Sequence, residues 1–497
     1  MRNQLAKDVL KMAVMLVAVI VVCRLTKGLA AGALVMYACC ASLMRKRVVM
    51  MACFIILPLL IVMNPGILPK TGYTGLIFRV GTALMAVSFL IGALGRQGGH
   101  SLPLGGLFVY LAVATLSSMG GYCPLISYMK ELNFLLFILG VWLGTRNIHH
   151  HADELYRLRC VLLALYVITV FGSYLTLPFP AIAYPQAVSD LMVWNKMSAE
   201  EAALAAGAMT ERSYLAGITN HSNTFAPLLS CGVGFLLCDM LFVERRFTKL
   251  HGVLIVLSLP LMYFTKSRGA FVTLVAAVTL IYFYGVTMIP TRMAVKTRAR
   301  NWIVAFVMLI GLGVSFLQAR DGGFSKYLRK YSGDTGQDCS LGEAMTASRM
   351  GLIESSLYDF KKNPVFGMGF QTIEDHPRLL AEGRISIFSA PIEKGVLPTM
   401  ILGEAGLVGA GVFLCWLLVF ISICRRKNYT CTICLMGVML TSNLGEATFF
   451  SPGGTGGILW IITVVGGYLC DLQILYRRNI ERQLRQMQVM MDWNWRG

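Results

Sequence analysis

Residues 397–426 read LPTMILGEAGLVGAGVFLCWLLVFISICRR, an apolar run that closes on a pair of arginines. Up to Cys424 its only charge is Glu404. As a helix it crosses a hydrocarbon layer of roughly 30 Å. Arg425-Arg426-Lys427 then stands where that helix leaves the membrane. Just upstream lies the largest polar interruption of the chain, residues 320–395, which opens DGGFSKYLRKYSGDTGQD. Further apolar runs lie near 9–26, 29–44, 48–63, 75–95, 103–118, 132–146, 158–178, 222–243, 250–265, 269–289, 301–318, 429–446 and 458–476. This pattern predicts an all-α polytopic membrane protein with about 12–14 transmembrane helices. It is one integral domain over 1–497, with one large, partly helical external loop at 320–395.

With 56% hydrophobic and 14% charged residues, the composition excludes a soluble domain. The net charge of +19 would suit a nucleic-acid binder, but its placement argues otherwise. With the N-terminus inside, alternation puts Arg45-Lys46-Arg47, Arg245-Arg246, Arg292/Lys296/Arg298/Arg300, Arg425-Arg426-Lys427 and Arg477-Arg478 in inside loops. That is the positive-inside pattern, so no nucleic-acid partner is expected and both long loops, 179–221 and 320–395, fall outside. The basic start (Arg2, Lys7, Lys11) reads as an uncleaved anchor. The tail at 477–497, Met- and Gln-rich with its arginines, reads as a basic amphipathic helix on the inner leaflet, drawn to anionic lipid.

Most of the fourteen cysteines fall inside the runs, where the thiol acts as a small apolar group. Cys431 and Cys434 form a CxxC pair at a helix start, and Cys123 and Cys339 are both external. No cluster has the spacing of a metal site. His149 to His151 read as a solvated inside tract, and no cofactor is implied.

Three polar stretches border the runs on the outer side. The first, Glu211 to Asn223, carries Arg212, Asn220 and Asn223 into the eighth run. The second is the turn Thr265-Lys266-Ser267-Arg268-Gly269-Ala270. Two cations in an outer turn run against the charge trend, so they either bind an anion at the membrane edge or snorkel to water. The third is the large loop. Residues 343–361 predict a helix with Met345, Leu352, Ser356, Leu357 and Phe360 on one stripe and Arg349 near the opposite flank. Asn363-Pro364 stops it and Gly367-Met368-Gly369 permits a tight turn. Such a helix would also suit the bilayer surface. Glu446, after the penultimate run, either faces the same outer cavity or is an interfacial carboxylate.

In order and spacing these stretches resemble the O-antigen ligase and O-antigen polymerase superfamily of bacterial membrane glycosyltransferases. The resemblance spans about 210–465 and rests on four elements. They are R…G-(I/F)-x-N-x-x-N at 212–223, T-x-S-R-G-A at 265–270, S-R…NPVFGMGF at 348–370, and L-x-E-x-G-L-x-G at 402–409. It implies a GT-C-like helical fold in the bacterial inner membrane, with cytoplasmic termini and periplasmic long loops. The implied reaction is an inverting transfer of a glycan from an undecaprenyl-diphosphate carrier to a sugar hydroxyl, with no metal or cofactor. Membrane lipids and a chain-length regulator protein are the further partners it brings to mind. It implies Arg268 and Arg349 as diphosphate binders with Arg212 as a third, since forked guanidinium donors match phosphate oxygens. Lys266, Asn220, Asn223 and Glu404 belong to the same expected binding surface.

One departure matters. Many ligases carry a His-Asn pair about nine residues before the helix-start Glu, where this chain has Gly395-Val396 after Glu393-Lys394. The ligase base therefore does not carry over, and polymerase is expected ahead of ligase. Glu393 is the first substitute as general base and His376 the second, with Lys394 pairing Glu393 or adding a phosphate contact. Glu393-Lys394 also reads as a plain helix-start ion pair. The first external loop, Arg24 to Lys27, holds no Asp or Glu, unlike lipid-carrier glycosyltransferases that use a carboxylate there. A flippase or carrier would predict matched halves with broken mid-membrane spans, and none is evident.

Overall fold

The computed structural model describes residues 4–44, 46–69, 72–93, 101–146, 148, 152–178, 215–265, 267–285, 341–382 and 395–494. Among them the backbone is helix and short turns, with an isolated antiparallel bridge between Met63 and Thr219. The first half comprises α1 (Gln4–Leu25), α2 (Leu29–Leu43), α3 (Arg47–Val62), α4 (Gly72–Ala93), α5 (Gly105–Met119), α6 (Pro124–Arg146) and α7 (Ala152–Thr176). Then come α8 (Ser222–Cys238), α9 (Lys249–Phe264) and α10 (Arg268–Thr279), with π-helical turns at Asp239–Glu244 and Leu280–Gly285. After the long loop follow α11 (Leu341–Lys362), α12 (His376–Ala381), α13 (Leu397–Arg426), α14 (Thr430–Ser442), α15 (Thr455–Trp460) and α16 (Gly466–Asn494). Every predicted apolar run falls on one of these helices except 301–318, which lies outside the described residues.

Five helical segments are long and apolar enough to cross a membrane: Pro124–Arg146, Ala152–Thr176, Ser222–Glu244, Leu397–Arg426 and Thr455–Met491. Shorter apolar helices of 10–17 residues pack among them. The chain is thus a helical membrane protein. The apolar window of Ser222–Glu244 is 100% buried and that of Leu397–Arg426 only 28%, so α8 is the central post and α13 a peripheral one. Exposed Leu414, Leu418 and Val419 on α13, like Leu10, Val14 and Val21 on α1, give the bundle an apolar outer wall of the kind lipid accepts.

Loop contacts sort into two ends. At the lower end Asp8 accepts from the Tyr156 hydroxyl at 2.9 Å, and Gln473 donates to the Leu155 carbonyl at 3.0 Å. Asp471 caps α14 from the neighbouring helix, accepting from the Cys431 and Thr432 amides at 2.9 and 2.8 Å. A buried ion cluster joins α7 to the π turn after α8. Arg159 grips Asp239 through Nε at 2.6 Å and Nη2 at 2.8 Å, and reaches Glu244 at 2.7 Å. His251 Nε2 meets the same Asp239 at 2.6 Å. Arg245, Arg425 and Arg477 sit at this end, which is the one sequence alternation places inside.

Residues 477–494 are not a separate helix. They prolong α16 without a break, because nothing after Gly467 is Gly or Pro before the helix ends. The tail is thus one continuous helix with the last span. Ile480, Leu484 and Met487 are exposed along it.

The upper end shows why α13 begins as it does. Gly406 interrupts it with φ 62° and ψ −162°, where a side chain would be strained. Such a break strips neighbouring peptide groups of their helical partners, which hydrocarbon cannot replace. Residues 363–369 replace them. The Leu407 and Val408 amides donate to the Pro364 and Val365 carbonyls at 2.9 and 3.2 Å. In return the Met368 and Gly369 amides donate to the Gly403 and Glu404 carbonyls at 2.8 and 3.1 Å. The predicted helix stop and Gly turn are present, with Gly367 and Gly369 at φ 75° and 99°. The segment that follows is sunk into the bundle: Phe370, Thr372 and His376 are buried, and Lys130 Nζ donates to the Gln371 carbonyl at 2.9 Å.

Candidate active site

Three interruptions of helix meet at the upper end. The approach to α8 is held to the end of α3: the Asn64 amide donates to the Ile218 carbonyl at 2.8 Å and the Asn220 amide to the Val62 carbonyl at 2.9 Å. His221 caps α8 through Nδ1, which accepts from the Asn223 amide at 2.9 Å. This aims Asn223, in the first turn, away from its own helix. Its Nδ2 donates to Glu446 Oε1 at 3.3 Å.

Glu446 stands in the connection between α14 and α15, which Asn443 holds rigid. Asn443 Oδ1 accepts from the Thr448 and Phe449 amides at 2.7 and 2.6 Å while its Nδ2 donates to the Met439 carbonyl at 2.8 Å. Asn443 is fully buried, and no feature of the sequence reading singled it out. Two backbone bonds tie this connection to the start of α13: Leu397 N to Asn443 O at 3.0 Å and Ala447 N to Gly395 O at 2.9 Å. The re-entry of the large loop is thereby fixed beside Glu446.

The third interruption is the predicted turn between α9 and α10, with Arg268 the first residue of α10. It lies against the same connection. A methyl placed on Gly269 would be 3.6 Å from the Gly445 Cα, an ordinary van der Waals separation, so the two backbones pack side by side. Arg268 is partly buried. A helix start with a guanidinium, beside a carboxylate held by an amide, offers both an anion-binding corner and a proton acceptor.

Two other expected residues lie elsewhere. Glu404 and His376 are fully buried in the knot between α13 and residues 363–376. The Glu404 carbonyl also accepts from Ser117 Oγ at 2.5 Å, and His376 Nδ1 accepts from the Ile373 amide at 2.9 Å. Both sit in the packing of the fold. Asn220 is partly buried beside the α3 end. Arg349 lies on α11, of which only the backbone is described there. Arg212, Lys266, Glu393 and Lys394 lie outside the described residues, as do the 149–151 tract and Cys339. The described cysteines are all thiols, and among the described residues no group of three or more His, Cys, Asp or Glu is placed to hold a metal ion.

A second polar cluster at this end was not foreseen. On α11, Ser356 and Asp359 are buried toward α13, whereas Leu357 of the predicted stripe is exposed. Tyr122 donates to Asp359 Oδ1 at 2.7 Å. Burial, reinforced by that carboxylate, pushes the Tyr122 hydroxyl up to about 12. Lys362 Nζ sits 4.5 Å from the Tyr358 ring centre and 2.9 Å from Glu374, whose carboxylate holds it above the usual lysine range.

Compared with known proteins, the chain matches no family model, and no curated protein matches it.

Proposed function

We propose that this chain is a bacterial inner-membrane glycosyltransferase that polymerises lipid-linked polysaccharide repeat units on the outer face of the membrane. The observation that carries the reading is the meeting of Asn223, the start of α10 at Arg268 and the connection around Glu446 at one end of the bundle. Stretches far apart in sequence, each belonging to the family resemblance or adjoining it, share that corner. In this reading the bundle is GT-C-like, with about 12–14 crossings once the shorter apolar helices and 301–318 are counted. The N- and C-termini are cytoplasmic and the long loops periplasmic.

The donor is an undecaprenyl-diphosphate-linked glycan. Its diphosphate lies at the start of α10, held by Arg268, with Arg349 and Arg212 as the further expected binders. Leaving-group charge then develops against fixed cations, a leading source of rate enhancement in such sites. Lys266 and Lys394 add further positive charge, and Asn220 and Asn223 face the glycan. Transfer is inverting and metal-independent, with an acid–base side chain at the outer end taking the acceptor proton. Membrane lipid surrounds the site, and a chain-length regulator is a fitting protein partner.

The test incubates purified protein with a repeat unit on undecaprenyl diphosphate from its own host, without added metal, beside Arg268→Ala. The expected outcome is a ladder of longer lipid-linked glycans that the variant loses by about 10²-fold or more. Donor that binds without elongation or carrier release would instead favour a ligase lacking its acceptor, or a flippase. A ladder that survives Arg268→Ala would retain the function and remove this site.

A further inference from the structure

We infer that Glu446 is the general base of the transfer, an inference that rests on the glycosyltransferase reading above. A base for this reaction has to be a carboxylate or imidazole at the upper end, reachable by an acceptor sugar and held still. The described candidates differ in geometry: His221 has Nδ1 committed to the Asn223 amide at 2.9 Å as the α8 cap, and Glu131 is buried and accepts from Thr115 Oγ1 at 2.8 Å. Glu404 and His376 are fully buried, and both lie in the knot that closes the α13 break. Asp359 is buried and accepts from Tyr122, while Glu374 is exposed and takes Lys362. Glu374, Asp375 and Glu382 flank the short α12 and are exposed, with Arg378 beside both Asp375 and Glu382.

Glu446 stands where three helix interruptions meet, with its carboxylate reached by Asn223. Asn223 Nδ2 donates to its Oε1 at 3.3 Å, which orients the carboxylate while keeping it a proton acceptor. The backbone around it is fixed on both sides: its amide donates to the Ser442 carbonyl at 3.4 Å, its carbonyl accepts from Thr448 at 2.9 Å, and Ala447 is tied to Gly395. Gly445, the residue before it, touches Gly269, the residue after Arg268. A diphosphate at the start of α10 therefore places the anomeric carbon of its sugar near Glu446. The side chain is partly buried, so an acceptor can still reach it.

In the step, the acceptor hydroxyl attacks the anomeric carbon and its proton passes to the Glu446 carboxylate. The new C–O bond forms as the bond to the diphosphate breaks, and the electron pair leaves with the carrier diphosphate. The proton is then given to water. Asn223 is a positioning residue, acting through Glu446.

The experiment follows elongation of the same donor by wild type, Glu446→Gln and Asn223→Ala across pH, with donor affinity and melting temperature measured in parallel. We expect E446Q to keep its melting transition and donor affinity and to lose elongation by about 10²–10⁴-fold. The wild-type rate falls on acidification as the base is protonated; that acid limb is absent from the residual rate of E446Q and present in N223A. An E446Q that elongates within about tenfold of wild type, or keeps the acid limb, overturns the assignment. So does an E446Q that no longer folds, since Glu446 is then a brace. If the wild type itself neither elongates nor releases carrier, the glycosyltransferase reading falls first, and the base falls with it.

Discussion

Asn223, Arg268 and Glu446 lie up to 223 positions apart, yet Asn223 and Glu446 share a hydrogen bond. Asn223 and Arg268 stood out in the sequence because a polar side chain at a membrane edge is costly and is retained for a reason. Glu446 was visible as a carboxylate between two runs, but its neighbours depend on how four distant segments fold back. Glu404 and His376 show the complementary side of this. They are polar and lie in motifs, yet both are buried in packing, which no local pattern reveals. Tyr122 offers a test at this scale. Tyr122→Phe removes the bond to Asp359 and is expected to cost about 0.5–1.5 kcal/mol. Because the hydroxyl is raised from its usual value of about 10 to about 12, the bond contributes fully below pH 10 and fades as pH climbs toward 12. The melting-temperature gap between wild type and Y122F should therefore be smaller at pH 11 than at pH 8.

Two sequence elements, NPVFGMGF and L-x-E-x-G-L-x-G, form a single structural unit. One supplies the hydrogen bonds that the other loses where α13 breaks. Each looked like a separate functional motif, because the glycines and the Asn-Pro stop were legible while their mutual pairing was not. Gly406→Ala tests the unit. Its φ of 62° disfavours any side chain, and a methyl there collides with the Val365 carbonyl. The strain alone is about 1–3 kcal/mol, and the variant is expected to melt lower with the 363–369 segment more open to protease. An unchanged melting temperature would mean that the break is relaxed in the folded protein. The tail makes the complementary point. Its amphipathic character was legible, whereas its direction came from the unbroken helix joining it to the last span.

At the scale of the molecule, sidedness and mechanics separate. The upper end is built of broken helices and tight turns with scattered charges such as Arg268, Glu446 and Lys362; the lower end carries the basic clusters and the ion network around Asp239. That network braces α7 to the π turn after α8, the central post. Asp239→Asn leaves Arg159 buried without its main counter-charge, and is expected to cost about 3–5 kcal/mol. Because the network lies at the opposite end from Arg268, donor affinity per folded molecule should stay at the wild-type value. A large loss of affinity in folded D239N would show that the two ends are coupled.

Hydropathy and charge bias were sufficient for the helical class, the positions of the helices and the end of the bundle to which each loop belongs. Those signals are local: each span is recognised from its own residues, and each loop from its own arginines. What only the tertiary structure decided is which polar groups meet. Ser117 bonds to Glu404 across 287 positions, and the Tyr122–Asp359 bond spans 237. Peptide groups freed inside a membrane protein have to find partners within the protein, and the chain closes long loops to supply them. That requirement joins NPVFGMGF and L-x-E-x-G-L-x-G in one hydrogen-bonded unit and brings Glu446 to the corner where Asn223 and the start of α10 converge.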